Sequence, residues 1–449
     1  MPRSYESLPS PHEFPVIGSA HRRFRSPLDF FEELKREHGD VARFRIFSER
    51  FVLFNDPALV NEVLVTKQHS FRKGRALEGA RQFLGNSLLV SEGEEHTRQR
   101  RLIQPAFHHG RIAGYARLMA EKAKNWTDSR RAGEELDLAA QMNRLTLAVV
   151  AETLFGSEVE AEAHAIAESL SVIIGNFNRM LLPFWKVLQR LPTRGNRRLK
   201  QAQQTLDATI FRLISQRRKD GRDHGDLLSM LLAAEDAENP QKRLTDVEVR
   251  DQAMTLFIAG HETIANALAW TWHLLSQHEN VRLKMKAEID TVLGPDRLPG
   301  LEETRQLPYT TAVLSESMRL FPPVWVVGRR AVEDVVIGDY EVPRRTIVIT
   351  SQYLIHRDER FWPDPLTFCP ERWLDPEAET QRPKFAYFPF GGGARVCIGE
   401  AFAWTEGVIL LAVMARRWRF EAMPGHGVTL QPTVTLRPKN GLKMIAREA

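Results

Sequence analysis

The 449-residue sequence contains only two cysteines, Cys369 and Cys397. They form no Cys-x-x-Cys pair, so a structural zinc site built on thiolates is not expected. The same scarcity excludes a scaffold held together by disulfides. The count fits one packed and one reactive cysteine, and the neighbourhood of each has to decide between these roles.

The sequence also lacks a long apolar run. The longest clean stretch covers residues 408–415, whereas a membrane-spanning helix needs about 20 apolar residues. Prolines at positions 2, 9, 11 and 15 occupy the place where a secretory signal would have its apolar core. We therefore expect no transmembrane anchor and a cytoplasmic, reducing location.

Charge of one sign is not strongly in excess, because the net charge is only +5. Basic residues cluster at positions 194–200 and 217–219, but no nucleic-acid recognition motif accompanies them. We interpret these clusters as solvated helix faces and predict no nucleic-acid partner. A basic surface of this kind can also dock an acidic protein.

Helical periodicity dominates the middle of the chain, in which 43% of all residues are hydrophobic and 27% are charged. Thr245-Asp-Val-Glu248 has the capping-box pattern and predicts the start of a long helix that continues to Leu275. A second helix is predicted over Tyr309–Leu320, before two prolines. We predict a mainly α-helical fold with small β-sheets, formed as a single domain over residues 1–449 with a proline-rich segment at 1–20.

Strand-like runs are short. Aromatic and β-branched residues predict strands in four places, at residues 43–47, 51–54, 335–337 and 346–350. Residues 362–389 are rich in proline and aromatics and are predicted to be irregular. Cys369 lies in this irregular stretch without a glycine turn beside it or a helix after it, and we predict that it is a packed thiol.

The segment from Phe390 to Gly399 is the most informative one. Three consecutive glycines at positions 391–393 permit a tight turn that aims backbone N–H groups inward. Cys397 follows this turn and precedes a long apolar helix predicted over Ala401–Ala415, a position that favours the thiolate form. A dinucleotide fingerprint is excluded because Val396 stands where its last glycine would be, and a P-loop is excluded because the chain has no Gly-Lys pair.

In this segment the sequence resembles the cytochrome P450 family of thiolate-haem monooxygenases. The family signature F-x-x-G-x-R-x-C-x-G is matched by Phe390, Gly393, Arg395, Cys397 and Gly399. The resemblance implies the family's triangular, mainly α-helical single domain around a buried haem b, with Cys397 as the iron ligand. It also implies that Arg395 pairs with a haem propionate and that Phe390, Gly391 and Gly399 belong to the cofactor-binding loop.

Two further acidic and basic patterns support this resemblance. Glu316 and Arg319 stand three residues apart on one helix face, and alone they would be a common surface pair. The family implies that such a pair is buried and joined by an arginine from a later Pro-Glu-Arg-aromatic stretch, here Arg372. We interpret the three residues as structural.

A glycine at position 260, inside the long predicted helix, requires an explanation because glycine weakens a helix. Ala259, Gly260 and Thr263 share a helix face, so a small ligand could approach there. Thr263 could equally donate a hydrogen bond to a carbonyl one turn earlier. A zinc-protease H-E-x-x-H motif is excluded because Ala265 occupies its last position.

The family pattern A-G-x-E-T matches this stretch and implies roles for its residues. Glu262 and Thr263 would relay protons, and Ala259 and Gly260 would line the oxygen pocket. Glu262 could also be an ordinary structural acid.

Other cofactor contacts are implied by the resemblance alone. His96 and Arg100 match a family H-x-x-x-R variant of the propionate clamp. Arg329 is a further propionate partner, with Arg330 as its competitor.

The resemblance implies a monooxygenase that inserts one atom of O2 into a C–H bond of an apolar small molecule such as a fatty acid, terpene or steroid. Few residues follow Gly399, so we expect electrons from separate proteins, a ferredoxin with its reductase or a flavodoxin-type donor. We expect a monomer. The alternatives are a peroxygenase that uses H2O2 and a non-catalytic thiolate-haem sensor.

Substrate contacts are expected in four regions, at residues 71–90, 177–185, 324–327 and 434–436. Residues 180–185 would form an entrance segment or pack in the core. A fatty-acid carboxylate would need a basic anchor, for which Arg72, Lys73, Arg75 and Arg179 are candidates.

Overall fold

The structure, a computed structural model, describes residues 1–156, 163–176, 185–236 and 239–449. The predicted entrance segment at 180–185 lies outside the described residues except for its last position, and Arg179 lies outside them as well. The helices are α1 (Ala20–Arg25), α2 (Pro27–His38), α3 (Pro57–Asn61), α4 (Arg75–Leu84), α5 (Gly93–Ile103), α6 (His109–Asp128), α7 (Leu138–Phe155), α8 (Ala163–Gly175), α9 (Trp185–Leu188), α10 (Arg194–Asp220), α11 (Leu227–Ala233), α12 (Asp246–Leu275), α13 (Glu279–Leu293), α14 (Leu301–Thr304), α15 (Pro308–Leu320), α16 (Gln352–Ile355), α17 (Pro376–Gln381) and α18 (Glu400–Ala415).

The strands are shorter than the main helices. They are β1 (Val41–Ile46), β2 (Glu49–Phe54), β3 (Phe71–Lys73), β4 (Glu135–Asp137), β5 (Glu235–Asp236), β6 (Asn239–Arg243), β7 (Val327–Ala331), β8 (Val335–Ile337), β9 (Tyr340–Val342), β10 (Ile347–Thr350), β11 (Trp418–Ala422), β12 (Leu430–Pro432), β13 (Leu436–Pro438) and β14 (Lys443–Glu448). The mainly helical fold with small sheets is thereby confirmed.

The described chain divides into two compact units. Unit 1 consists of Met1–Arg75 and Ser315–Cys397, and unit 2 consists of Ala76–Leu314 and Ile398–Ala449. The prediction of one domain over residues 1–449 stays a prediction.

Unit 1 is built on a five-stranded sheet with the order β1-β2-β10-β7-β3. Its strands are antiparallel except for the parallel pair β2 and β10, in which Val52 lies opposite Val348. Both valines and the nearby Phe54 are fully buried, because β-branched and aromatic side chains pack well on a pleated, covered face. All four predicted strand regions form strands. The strands β3, β7 and β9 were not predicted, because each is short and lacks a run of apolar residues.

Unit 2 is mainly helical, and α12 packs along α7 while α18 packs along α6. The capping box that begins α12 is present: the Glu248 amide donates to Thr245 Oγ1 at 3.2 Å, and the Thr245 amide donates to Glu248 Oε2 at 2.8 Å. The helix ends at Leu275, as predicted, and α15 confirms the second predicted helix. A hairpin of β12 and β13 lies in this unit together with the sheet β11-β14-β4.

The prediction that residues 362–389 are irregular throughout was wrong. Residues Pro370–Trp373 form a 3₁₀ turn, and α17 follows it. Asp375 begins α17, because its side chain accepts hydrogen bonds from the amides of Glu377 and Ala378 at 3.0 and 3.3 Å. Within the described ranges, none of the helices combines the length and apolarity that crossing a bilayer requires.

Candidate active site

The loop from Phe390 to Cys397 in unit 1 carries the cysteine that the sequence singles out. The Cys397 amide donates to Phe390 O at 3.0 Å, and the Gly391 amide donates to Phe388 O at 3.0 Å. Cys397 is exposed and forms no disulfide. The backbone of this loop is therefore fixed at both ends, and the thiol side chain stands at an accessible position.

Two glycines have conformations that a side chain would strain. Gly391 has φ +75° and Gly393 has φ +67°, values that favour glycine. A Cβ at Gly393 would also overlap the carbonyl oxygen of Leu64, and the neighbouring Ala394 amide donates to Gln68 Oε1 at 2.9 Å. The glycine-rich turn is thus pressed onto the segment that contains residues 64–68.

A buried histidine supports this loop, and sequence reasoning missed it because no motif includes it. His356 Nε2 accepts a hydrogen bond from the Phe388 amide at 3.0 Å. Complete burial, with the charge of Arg319 nearby, lowers the pKa of His356 well below its usual value. The ring is therefore neutral at physiological pH and can act as the acceptor.

The predicted ion triad is present in unit 1 and is buried. Arg319 binds Glu316 through two hydrogen bonds of 2.8 Å, and Arg372 Nε donates to Glu316 Oε1 at 3.0 Å. The remaining guanidinium nitrogen, Arg319 Nη1, donates to the carbonyl oxygen of His356 at 2.7 Å. Since buried ion pairs need every polar atom satisfied, these extra bonds are consistent with the structural interpretation, and they join the triad to the histidine that supports the loop.

The candidate propionate partners of unit 1 lie on two elements. Arg395 is half-buried in the 3₁₀ turn that precedes Cys397. Arg329 and Arg330 are neighbours in β7, so their side chains leave opposite faces of the strand. Arg330 lies 3.4 Å from Glu49, and the choice between the two arginines as propionate partner stays a prediction.

In unit 2, α5 carries His96 and Arg100. They stand one turn apart and share a helix face; His96 is buried and Arg100 is half-buried. The neighbouring Arg98 pairs with Glu95 and with Glu248 of the α12 capping box. The pair with Glu248 could not be predicted from the local sequence, because the two residues are far apart in the chain. Gly399 is the residue immediately before α18.

The middle of α12 keeps one strip of its surface accessible within an otherwise buried helix. Leu256, Ala259, Gly260 and Thr263 are exposed or half-exposed, whereas the residues that follow are buried. Thr263 Oγ1 donates to Ala259 O at 2.9 Å, so the predicted hydrogen bond within the helix forms while the hydroxyl oxygen stays on the accessible strip.

Gly260 has a packing reason in addition to its predicted role. A Cβ at this position would lie 3.2 Å from Val150 Cγ2 of α7, which is tighter than ordinary contact. The glycine therefore lets α7 approach α12 closely. Its place in an oxygen pocket stays a prediction.

Glu262 is buried, unlike the adjacent Thr263. Its Oε1 accepts a hydrogen bond from Thr435 Oγ1 at 2.9 Å. Burial raises the pKa of Glu262, and the Thr435 hydrogen bond and the charge of Arg437 oppose this rise only in part. A carboxyl with a raised pKa keeps its proton to a higher pH than an exposed one does, which suits a group that donates protons. Sequence reasoning missed Thr435 because it is remote from Glu262 along the chain.

The predicted residues therefore form two sets, each in its own unit. Unit 1 places the cysteine loop, with its aromatic, glycine and arginine residues, beside the supporting triad and histidine. Unit 2 places the acid and the alcohol next to each other on α12, and a separate histidine and arginine on α5.

Comparison with known proteins gives a consistent result. The sequence model of the family described as Cytochrome P450 matches residues 8–445. The chain is 39% identical over 425 residues to cyclooctat-9-en-7-ol 5-monooxygenase of Streptomyces melanosporofaciens, covering 94% of this chain and 91% of that protein. It is 34% identical over 436 residues to pentalenene oxygenase of Streptomyces avermitilis, covering 96% and 93%.

A solved structure supports the same assignment. Retinoic acid-bound cyanobacterial CYP120A1 superposes with a TM-score of 0.89 at 26% identity, covering 98% of this chain and 99% of that one. The family match extends over nearly the whole sequence and includes the cysteine loop. The chain therefore belongs to the cytochrome P450 family and is a haem-iron monooxygenase.

Proposed function

We propose that this enzyme hydroxylates a terpene, inserting one oxygen atom of O2 into a C–H bond, with haem b as its cofactor. The substrate class is supported by relatives whose names state oxygenation of cyclooctat-9-en-7-ol and of pentalenene. The reaction class is supported above all by the exposed Cys397 thiol at the end of its fixed loop.

The residues of unit 1 fit a haem-iron ligand. A loop that holds its own backbone by the Cys397-to-Phe390 hydrogen bond presents the sulfur without further rearrangement. Arg395 and Arg329 supply charge for the propionates. When bound, the haem iron supplies dioxygen activation and oxygen-atom transfer.

In unit 2, His96 and Arg100 would be further propionate partners. The residues of α12 would donate and transfer protons. Glu262 would donate a proton and would then be reprotonated from solvent. Thr263 would pass the proton on, because its hydroxyl can leave the Ala259 carbonyl and donate toward the accessible strip. The methyl group of Ala259 is too small to obstruct that strip, and Gly260 has no side chain.

Electrons are proposed to come from a ferredoxin and its reductase, or from a flavodoxin-type donor. The net charge of +5 supports docking of an acidic carrier, because complementary charge accelerates association. A monomer in the cytoplasm stays a prediction.

The test of the ligand uses the two cysteines of the chain as a matched pair. The reduced, carbon monoxide-bound wild type should show the red-shifted band of thiolate-ligated haem. Cys397→Ser should lose the band, whereas Cys369→Ser should keep it, since Cys369 is half-buried and its sulfur lies 3.7 Å from Glu371 Oε2. An unchanged spectrum in Cys397→Ser would falsify the assignment.

The test of the substrate compares terpenes, steroids and fatty acids by the spin-state shift each induces, followed by product analysis with a ferredoxin and its reductase. Cyclic terpenes should give the shift at the lowest concentration. A response to fatty acids alone would overturn the terpene assignment. Turnover with H2O2 but not with the electron-transfer proteins would favour a peroxygenase, and a spectral response without any product would favour a sensor.

A further inference from the structure

The hairpin of β12 and β13 is fastened to the helix that carries the acid Glu262. Three residues of α12 spaced four apart, Glu262, Asn266 and Trp270, lie on one face of the helix. Glu262 and Asn266 both bind Thr435 Oγ1, at 2.9 and 3.1 Å. Trp270 Nε1 donates to Leu436 O at 2.9 Å. One helix face therefore fixes two consecutive residues of the hairpin.

These bonds have a defined direction. The amide nitrogen of Asn266 can only donate, so the Thr435 oxygen accepts from it and the single hydroxyl proton of Thr435 points to Glu262. The Thr435 carbonyl in turn accepts from the Thr433 amide at 3.0 Å. The position and the orientation of the Thr435 hydroxyl are thus determined by groups other than the carboxyl it serves.

All three polar partners are buried. Thr435 is 3% exposed, Glu262 5% and Asn266 7%. A buried hydrogen bond lost at one partner leaves the other unsatisfied, which costs more than an exposed bond would. Breaking the contact is therefore costly, which favours the orientation of the Glu262 carboxyl that keeps the Thr435 hydrogen bond.

The hydrogen bond from Thr435 also opposes the rise in the pKa of Glu262 that burial causes. Desolvation favours the protonated carboxyl, whereas a hydrogen bond from Thr435 and the positive charge of Arg437 favour the ionised form. A general acid is most effective when neither form dominates at the working pH. A carboxyl without the hydroxyl would retain its proton more firmly.

We propose that Thr435, oriented by Asn266, is a positioning residue for the monooxygenase reaction: it holds the Glu262 carboxyl and sets how readily this group releases its proton. The inference rests on the proposed function of Glu262 as the proton donor. It adds a residue of the β12–β13 hairpin, outside the acid–alcohol pair on α12, to the groups that govern proton delivery.

The test compares Thr435→Val and Thr435→Ser in the haem-loaded enzyme, with Thr271→Val as the matched control. Thr271 is a fully buried threonine of α12, the helix that carries Glu262, and its hydroxyl donates to Ala267 O at 2.7 Å. We expect Thr435→Val to lower kcat about ten-fold and to raise the solvent isotope effect, both measured at saturating substrate. Thr435→Ser and Thr271→Val should retain near-wild-type values.

A second readout does not depend on turnover. Infrared difference spectroscopy should identify the carboxyl C=O band of Glu262 by its loss in Glu262→Gln. Removal of the Thr435 donor should move that band to higher frequency, and Thr435→Ser should restore it. If Thr435→Val does not fold, Asn266→Ala replaces it as the test. Loss of the orienting donor should move the Glu262 band to higher frequency and lower kcat, each by less than is expected for Thr435→Val.

The outcomes separate the two proposals. Wild-type kcat in Glu262→Gln would refute the proton-donor function and this inference with it. A slow Glu262→Gln enzyme together with a Thr435→Val enzyme that behaves like Thr271→Val would refute the inference alone. A slow Thr435→Val enzyme that serine does not rescue would assign Thr435 a packing role and would also overturn the inference.

Discussion

Glu406 is a buried carboxyl group that the proposed mechanism does not use. It is fully buried in α18, and neither of its oxygens has a hydrogen-bond partner within the part of the chain that the structure describes. Because an unpaired buried charge is very unfavourable, burial raises the pKa of Glu406 well above its ordinary value. The folded protein therefore keeps Glu406 protonated to a higher pH than the unfolded chain does.

This difference predicts a pH-dependent stability. The folded state binds one more proton than the unfolded state above the unfolded pKa of about 4.3, so the contribution of Glu406 is fully present below that pH and is lost as pH rises. The free energy of unfolding should fall by up to about 1.4 kcal/mol per pH unit on this account. Urea unfolding between pH 5 and pH 8 should show a smaller fall in Glu406→Gln than in wild type. The exposed Glu94→Gln serves as control, and equal slopes in all three proteins would contradict the prediction.

The limits of sequence reasoning at the residue scale follow from chain separation. The hydrogen bond within α12 from Thr263 was foreseeable because its acceptor is four residues away. Thr435 lies 173 residues from Glu262, and a single threonine in an irregular stretch has no periodicity that could reveal its partner. The same applies to His356, whose supporting role depends on a backbone amide 32 residues away.

At the scale of elements, the cysteine loop contains two glycines that make different demands. Both Gly391 and Gly393 have positive φ, so alanine at either position costs about 1 kcal/mol of backbone strain. A Cβ at Gly391 would meet nothing within 4 Å, whereas one at Gly393 would overlap Leu64 O. A backbone carbonyl cannot rotate away as a side chain can, so only the second substitution must displace the loop.

We therefore expect Gly393→Ala to lose most of its thiolate-type carbonyl band per mole of protein, and Gly391→Ala to retain most of it. Total haem content, measured in parallel, separates failed ligation from failed incorporation. Comparable bands in the two variants would show that the approach of Leu64 to the loop is not what requires a glycine at position 393.

Elements with strong local signals were predictable, and those held by distant partners were not. The capping box fixed the start of α12, and the paired prolines fixed the end of α15. By contrast, β7 contains Gly328, Arg329 and Arg330 and becomes a strand only because β10 and β3 bind it on both sides. The error at α17 arose because the irregular prediction rested on the proline and aromatic content of residues 362–389, although proline is well tolerated at the first position of a helix, where Pro376 stands.

At the scale of the whole molecule, the sequence predicted the family and the mainly helical fold. It did not predict that the described chain divides into two units, each assembled from two separated segments. Local patterns report the secondary structure of a segment but not which remote segment completes its core. The family match covers residues 8–445. Because it spans nearly the whole chain, the family resemblance predicted the overall fold, which the periodicity of single segments could not.

The response of the whole protein to acid should depend on His356, which joins the ion triad to the cysteine loop of unit 1. Its pKa is well below the ordinary value in the folded state and about 6.5 in the unfolded chain. Below pH 6.5 the unfolded chain therefore binds more protons than the folded protein. As the pH decreases, the free energy of unfolding should decrease by up to about 1.4 kcal/mol per pH unit because of this residue. Protonation would also remove the acceptor of the Phe388 amide.

We expect His356→Gln, which keeps a neutral acceptor, to be less stable than wild type at pH 7 but to lose less stability between pH 7 and pH 5. Urea unfolding at the two pH values measures this difference, and the thiolate-type carbonyl band reports whether the loop survives. The exposed His12→Gln should follow the wild type. If His356→Gln lost as much stability on acidification as the wild type does, the acid sensitivity would have to originate at other buried groups, of which His261, whose pKa burial lowers, is the next to substitute.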